Sequence, residues 1–211
     1  MKLLIACEES QAVCKAFRAK GHEAYSCDTL YSSGGHPEWH IHGDVLDVLK
    51  TGVCYLETGK VIHCKDWDLM IAHPPCTYLS NAGARFLYPE KILNKDRFKK
   101  GLEAKEFFME LFNSDIPKIC VENPLPSKIF GLPKHFQVIQ PYEFGHPFKK
   151  RTQLWLKNLP ELKPTDILSN PESTKVLGNW FNKGGKDRAK LRSKTFPGIA
   201  KAMAEQWGNL K

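Results

Sequence analysis

Two short apolar runs in this chain end against proline. Leu69-Met-Ile-Ala72 leads into His73-Pro-Pro-Cys-Thr-Tyr-Leu-Ser-Asn-Ala-Gly83, and Lys118-Ile-Cys-Val-Glu122 leads into Asn123-Pro124. Apolar runs of this length, bounded by turn residues, read as buried strands. Proline fixes φ and donates no backbone hydrogen bond, so the chain must leave the sheet at both places. A thiol, Cys76, and a carboxylate, Glu122, are thereby set at the carboxyl ends of two strands. In open α/β sheets that edge is where ligands bind. A cysteine behind two prolines is poorly suited to a core and well suited to a nucleophile.

The first 28 residues support the same class. Lys2 to Ala6 reads as a strand, Glu8-Glu-Ser-Gln as a turn, and Gln11 to Lys20 as a helix with Val13, Ala16 and Phe17 on its apolar side. Gly21 closes the helix, and His22 to Asp28 is a second strand with an acid at its end. Strand, tight turn, helix, strand and acid, in that order, describe a nucleotide-binding βαβ unit, here without its glycine-rich fingerprint. Leu30 to Gly43 reads as a loop, Asp44 as the cap of a following helix, and Asp96 to Asn113 as an amphipathic helix. The apolar side of that helix is predicted to comprise Phe98, Leu102, Phe107, Phe108, Leu111 and Phe112. Later strands are expected over 137–140 and 152–156, and a last helix over 198–207.

A chain of 211 residues with 42% hydrophobic content supports one sizeable core, so a single domain over 1–211 is expected. No apolar run is long enough for a membrane span, and the amino terminus reads as a first strand rather than a signal peptide. The seven cysteines form no C-x-x-C pair, which points to reduced thiols in a cytoplasm. A net charge of +8 is compatible with a polyanionic partner, nucleic acid first, and equally with a merely soluble basic enzyme. Basic residues group at 95–100, 149–151 and 183–194. His36, His40, His42, Cys54, His63 and Cys64 fit no standard zinc spacing, and no metal is expected.

These motifs, in this order, resemble the cytosine carbon-5 DNA methyltransferase family, and most closely its small phage-type, methyltransferase-like members. Pro75-Cys-Thr-Tyr-Leu-Ser80 resembles the family's Pro-Cys-Gln-x-Phe-Ser segment, and Glu122-Asn123 its Glu-Asn-Val segment. Leu4-Ile-Ala-Cys-Glu-Glu-Ser10 stands where the family has its glycine-rich cofactor loop. Asp28 matches the acid on the cofactor ribose, Gly43-Asp44-Val45 the next cofactor block, and 195–203 the last block. The resemblance implies a Rossmann-like class I methyltransferase fold, α/β with a mostly parallel central sheet and flanking helices. It implies S-adenosylmethionine as cofactor, DNA as partner, and the cytoplasm of a bacterial or phage-infected cell as location. Carried over by position, the cofactor residues are Ala6, Cys7, Glu8, Glu9, Ser10, Asp28, Asp44, Val45 and Pro74. Catalysis would fall to Cys76, Glu122 and Arg151, and substrate contacts to Ser80, Asn81, Asn123 and Gln153.

The chemistry implied is addition of the Cys76 thiolate to carbon 6 of cytosine, which turns carbon 5 into a nucleophile. A nearby cation or helix amino terminus should assist thiolate formation. Glu122 would bond ring nitrogen 3 and the exocyclic amine, which requires a carboxyl at least transiently protonated and therefore a raised pKa. Asn123 is expected to pin the two strand-end loops; Ser80 and Asn81 to contact phosphate or cap a helix. In the family's Gln-x-Arg-x-Arg block Arg151 stands at the first arginine, with phosphate contact or a surface ion pair as its plainer use. Gln153 replaces the second arginine and offers a hydrogen bond without a charge.

Family members carry a sizeable target-recognition domain, where this chain has only the short irregular segment 158–192. Its lysines and arginines would grip phosphates, and Trp180 or Phe181 would pack in the core or stack on a base. A minimal enzyme of this kind would form a homodimer, use a partner, show little sequence preference, or take a free nucleotide. Two other readings stand beside DNA methylation: modification of a free pyrimidine nucleotide on the same scaffold, and a non-catalytic nucleic-acid-binding protein.

Overall fold

The structure is a computed structural model that describes residues 1–134, 136–173 and 193–210. Residues 174–192, with Trp180, Phe181 and most of the third basic group, lie outside the described residues. The strands are β1 (Lys2–Ala6), β2 (Glu23–Asp28), β3 (His40–His42), β4 (Val53–Tyr55), β5 (Val61–His63), β6 (Leu69–Ala72), β7 (Lys118–Pro124), β8 (Gln137–Ile139), β9 (Phe148–Lys149), β10 (Thr152–Lys157) and β11 (Glu172–Ser173). The helices are α1 (Ala12–Arg18), α2 (Val45–Thr51), α3 (Lys95–Phe112) and α4 (Pro197–Trp207).

A seven-stranded sheet runs in the order β3-β2-β1-β6-β7-β10-β8. The strands from β3 to β7 are parallel, while β10 runs antiparallel to both β7 and β8. This is the mostly parallel, Rossmann-like sheet expected from the sequence. Its center is apolar on both faces, and the period-2 alternation of side chains sorts its residues into two cores. Leu3, Ile5, Leu69, Ile71, Cys120 and Leu154 pack with α1 and α4. Leu4, Ala6, Met70, Ala72, Ile119, Val121 and Trp155 pack with α2 and α3. Phe108 of α3 meets Trp155 edge-to-face at 5.0 Å, a ring geometry that adds about 0.5–1.5 kcal/mol to area burial.

Local chemistry sets the helix ends. Asp44 accepts the Leu46 amide at 2.9 Å and starts α2, and Gly52, at φ 68°, ends it. Asn94 accepts the Arg97 amide at 3.0 Å and starts α3. The apolar face expected of α3 is narrower in the structure. Phe108 and Leu111 are buried, whereas Leu102 is 39% exposed beyond the stripe that meets the sheet.

The stretch 30–43, expected as loop, contains β3, which pairs in parallel with β2 from Ser26↔His40 to Asp28↔His42. Three residues with one aliphatic side chain give no periodic signal. What holds the segment is a buried polar relay. Gln11 Nε2 donates to Ser26 Oγ at 3.2 Å and to His36 O at 2.8 Å, and Ser26 Oγ meets His40 Nδ1 at 2.9 Å. His40 Nε2 meets Leu30 O at 2.9 Å. Among the described residues, no helix is long and apolar enough to cross a membrane.

Candidate functional site

The turn after β1 keeps a glycine-like path without glycine. Cys7 sits at φ 58° and Gln11 at φ 57°, in the left-handed region that L side chains rarely adopt. Non-glycine residues held there cost roughly 1–3 kcal/mol each and persist where the surroundings over-determine them. Glu8 is part of those surroundings. The Val13 and Cys14 amides donate to its two carboxylate oxygens at 2.7 and 3.1 Å, which satisfies the first orphan donors of α1. Burial pushes the Glu8 pKa up, and the charge of His73 and the two amide bonds offset only part of that.

Of the residues assigned to a cofactor, Ala6, Glu8, Glu9, Val45 and Pro74 are buried, Cys7, Ser10 and Asp28 are half-buried, and Asp44 is exposed. Burial pushes the Cys7 thiol up to about 12, with the charges of Asp28 and Asp44 adding to it. Asp28 ends β2 and Asp44 follows the end of β3, on the same carboxyl edge of the sheet as the turn after β1. Asp28 accepts the Leu30 amide at 2.9 Å through Oδ1, and Asp44 accepts Leu46 through its own Oδ1. Each of these carboxylates has one oxygen bonded to a local amide. Glu8, turned inward as a cap, supports that turn rather than facing a ligand.

The two strand-end motifs are tied together by backbone. β6 and β7 pair in parallel from Leu69↔Lys118 to Ala72↔Val121. The Asn81 amide donates to Leu125 O at 2.8 Å, and the Ser127 amide to Leu79 O at 2.7 Å, which fastens the loop after Cys76 to the segment after Asn123-Pro124. Cys76 is half-buried, and its carbonyl accepts the Ser80 amide at 2.8 Å. Arg97 Nη2 donates to Thr77 O at 2.8 Å, which sets a cation one residue from the thiol. Ser80 is buried and Asn81 exposed; both act here through their main chain, and Ser80, at the start of the short 3-10 turn Asn81–Phe86, caps it with no side-chain bond.

Register also brings two groups together that the sequence reading did not pair. Ile71 and Cys120 are partners on the α1/α4 face, so the residues two further on, His73 and Glu122, meet on that face. His73 Nδ1 lies 3.3 Å from Glu122 Oε2, with side-chain exposures of 7% and 19%. Burial opposes charge on His73, but the hydrogen bond and charge of Glu122, with Glu8 behind, outweigh it and raise the imidazole pKa. Burial likewise pushes Glu122 up, yet the bond to His73 and the charges of His73 and Lys150 bring it below the usual carboxylate value. The raised pKa expected for Glu122 is therefore corrected: the carboxylate is paired and ionised. His73 Nε2 is buried with no hydrogen-bond partner among the described residues, an orphan atom of the kind found at ligand sites.

Both residues line a small cleft, open to solvent, with Lys150 and Thr152 at the β10 end and Thr195 and Phe196 ahead of α4. Cys76 is not among its lining residues. Lys150, not Arg151, faces the cleft; Arg151 is exposed. Asn123 and Gln153 are cross-strand partners with the parity of Val121 and Trp155, so they project to the face opposite the cleft. Asn123 is fully buried and Gln153 3% exposed. Neither Asn123 amide atom has a hydrogen-bond partner among the described residues, and backbone bonds fasten the strand-end loops instead.

Three of the candidate histidines have partners in the fold. His36 stacks on Trp39 at 3.8 Å, His42 stacks on Tyr31 at 4.2 Å, and His40 belongs to the Gln11 relay. No group of three or more potential ligands converges among the described residues.

Comparison with protein families finds no matching family model, and comparison with curated proteins finds no match. Among solved structures, the chain is similar to a prophage-encoded E. coli protein assigned as a DNA modification methyltransferase, with 12% identity and a TM-score of 0.41 over 85% of this chain. The chain spans 55% of that structure's length. At that identity and superposition the likeness carries no argument.

Proposed function

We propose that the chain is an S-adenosylmethionine-dependent methyltransferase acting on carbon 5 of cytosine in DNA through a Cys76 adduct. The observation that supports it best is the tethering of the Cys76 loop to the Glu122 strand end, at the sheet edge that also carries Asp28 and Asp44. The acceptor set at Cys7, Asp28 and Asp44 would hold the nucleoside part of the cofactor, which supplies an electrophilic methyl group when bound.

Cys76, deprotonated, forms a bond from sulfur to carbon 6 of cytosine. The electron pair displaced from the ring is met by a proton delivered to nitrogen 3 from Glu122. Glu122 is ionised in its pair with His73, so that proton comes from the His73 imidazolium, 3.3 Å away. A bound S-adenosylmethionine would supply the methyl group to carbon 5, its methyl–sulfur bond breaking with the electron pair left on sulfur. The nitrogen-3 proton would return through Glu122 to His73, and loss of the carbon-5 proton to water would re-form the 5,6 double bond as the carbon 6–sulfur bond breaks and releases the Cys76 thiolate. His73 thereby takes over the proton-supplying role that a raised Glu122 pKa would otherwise serve.

A free pyrimidine nucleotide is the second reading, favored by one observation: Lys150 lines the cleft beside Glu122, and its cation would suit a nucleotide phosphate. Methyl transfer from labelled S-adenosylmethionine to DNA, lost in Cys76→Ala, is expected. Transfer to cytidine nucleotides with none to DNA would select the second reading. Salt-sensitive DNA binding without transfer, unchanged in Cys76→Ala, would overturn both.

A further inference from the structure

The segment from Arg85 to Lys100 carries Arg85, Lys91, Lys95, Arg97, Lys99 and Lys100 against Glu90 and Asp96, a local charge of +4 out of +8 for the whole chain. Aromatic rings lie among these cations. Phe86 is 52% exposed and Tyr88 46% exposed. Arg85 lies 4.6 Å from the Phe86 ring center, and Arg97 reaches both Phe86, at 5.4 Å, and Tyr78, at 5.1 Å. Lys100 lies 5.6 Å from the Tyr78 ring. The surface is strained as well as exposed: Glu90 and Lys91 take φ of 52° and 65°, in the left-handed region. It is continuous with the Cys76 loop, because Arg97 also holds Thr77 O.

We infer that this surface binds single-stranded nucleic acid. The inference rests on the methyltransferase reading only for the identity of the base to be modified. A duplex offers its phosphates to such a surface but keeps its base faces stacked, so rings in the position of Phe86 and Tyr88 have nothing to engage. An unpaired strand offers both: phosphates for the lysines and arginines, and π-faces for the rings. A single strand also removes the need to flip the target base out of a stack.

The test is fluorescence anisotropy of the full chain, without S-adenosylmethionine. The probes are a labelled pyrimidine-rich oligonucleotide of about 20 nucleotides and its duplex, a length spanning one or more typical sites. The single strand is expected to bind more tightly than the duplex. Phe86→Ala and Tyr88→Ala are each expected to weaken single-strand binding about tenfold, with Phe86→Tyr restoring it and duplex binding unmoved. Lys99→Ala is expected to flatten the salt dependence by a slope of about 0.7 if it contacts one phosphate. Duplex binding equal to or tighter than single-strand binding would overturn the inference. So would unchanged binding in both aromatic variants, or a patch whose variants abolish self-association while leaving nucleic-acid binding intact. Single-strand binding with no methyl transfer to any substrate would support this surface and end the cytosine reading. Methyl transfer confined to duplex DNA would do the reverse.

Discussion

Glu122→Gln removes the charge that faces His73 and leaves the shape almost unchanged. In the parent protein the two groups stabilise each other over a definite pH window. His73 has a raised folded pKa, so its contribution is complete below its ordinary value of 6.5 and is lost as pH rises through the folded value. Glu122 has a lowered folded pKa, so its contribution is complete above 4.5 and is lost as pH falls through the folded value. The pair therefore contributes most between roughly pH 4.5 and 6.5. Breaking a fully buried pair costs about 3–5 kcal/mol, but Glu122 keeps 19% exposure to an open cleft, so solvent recovers part of that. A loss of about 1–3 kcal/mol near pH 5.5 is expected, shrinking as pH rises through the raised folded value of His73. Urea denaturation at pH 5.5, 6.5 and 8 reads the difference directly, and proton NMR of His73 should show its pKa fall in the variant. A loss that does not vary with pH, or that grows toward pH 8, would refute the pairing and with it the proton route to the substrate.

Three further outcomes follow from particular contacts. A Cβ on Gly198 would lie 1.9 Å from the Phe144 carbonyl oxygen and 2.9 Å from His146 Nε2, which accepts the Gly198 amide; Gly198→Ala should cost about 1–3 kcal/mol in a thermal or urea melt. Glu8→Ala leaves the Val13 and Cys14 amides without partners inside the core and should cost about 2–4 kcal/mol by the same melt, while Glu8→Gln, which keeps one acceptor, should cost less. Asp28→Ala should weaken S-adenosylmethionine binding about tenfold in calorimetry and barely move the melting temperature, since its bond to the Leu30 amide is a local turn contact.

The strands that position the site were legible because each is an apolar run stopped by proline or by an acid. Lys2–Ala6, Leu69–Ala72 and Lys118–Pro124 declare themselves through composition, and their parallel pairing follows from the helices between them. β3 was not legible, since His40 and His42 are held by tertiary partners, Leu30 O and Thr29 O, rather than by a strand pattern. The inward turn of Glu8 depends on where α1 begins in space.

Side-chain parity is the clearest case of what a motif alone conceals. Glu122 and Asn123 are adjacent in sequence, but the pleat sends one to the cleft and the other to the opposite core. The same rule separates Thr152, which lines the cleft, from Gln153, which does not. Once the Ile71–Cys120 register is known, strand alternation alone puts His73 beside Glu122. Lys150 required the antiparallel turn into β10 to be known first.

Methyl transfer to carbon 5 by this route requires a covalent bond between Cys76 and the cytosine ring. The most direct measurement is mass spectrometry of the chain after incubation with S-adenosylmethionine and an oligonucleotide carrying 5-fluorocytosine, whose fluorine cannot leave as a proton does and so traps the adduct. The account predicts a nucleotide mass on the peptide containing Cys76, and none in Cys76→Ala. An adduct on another cysteine, or no adduct while S-adenosylmethionine is demonstrably bound, would contradict it.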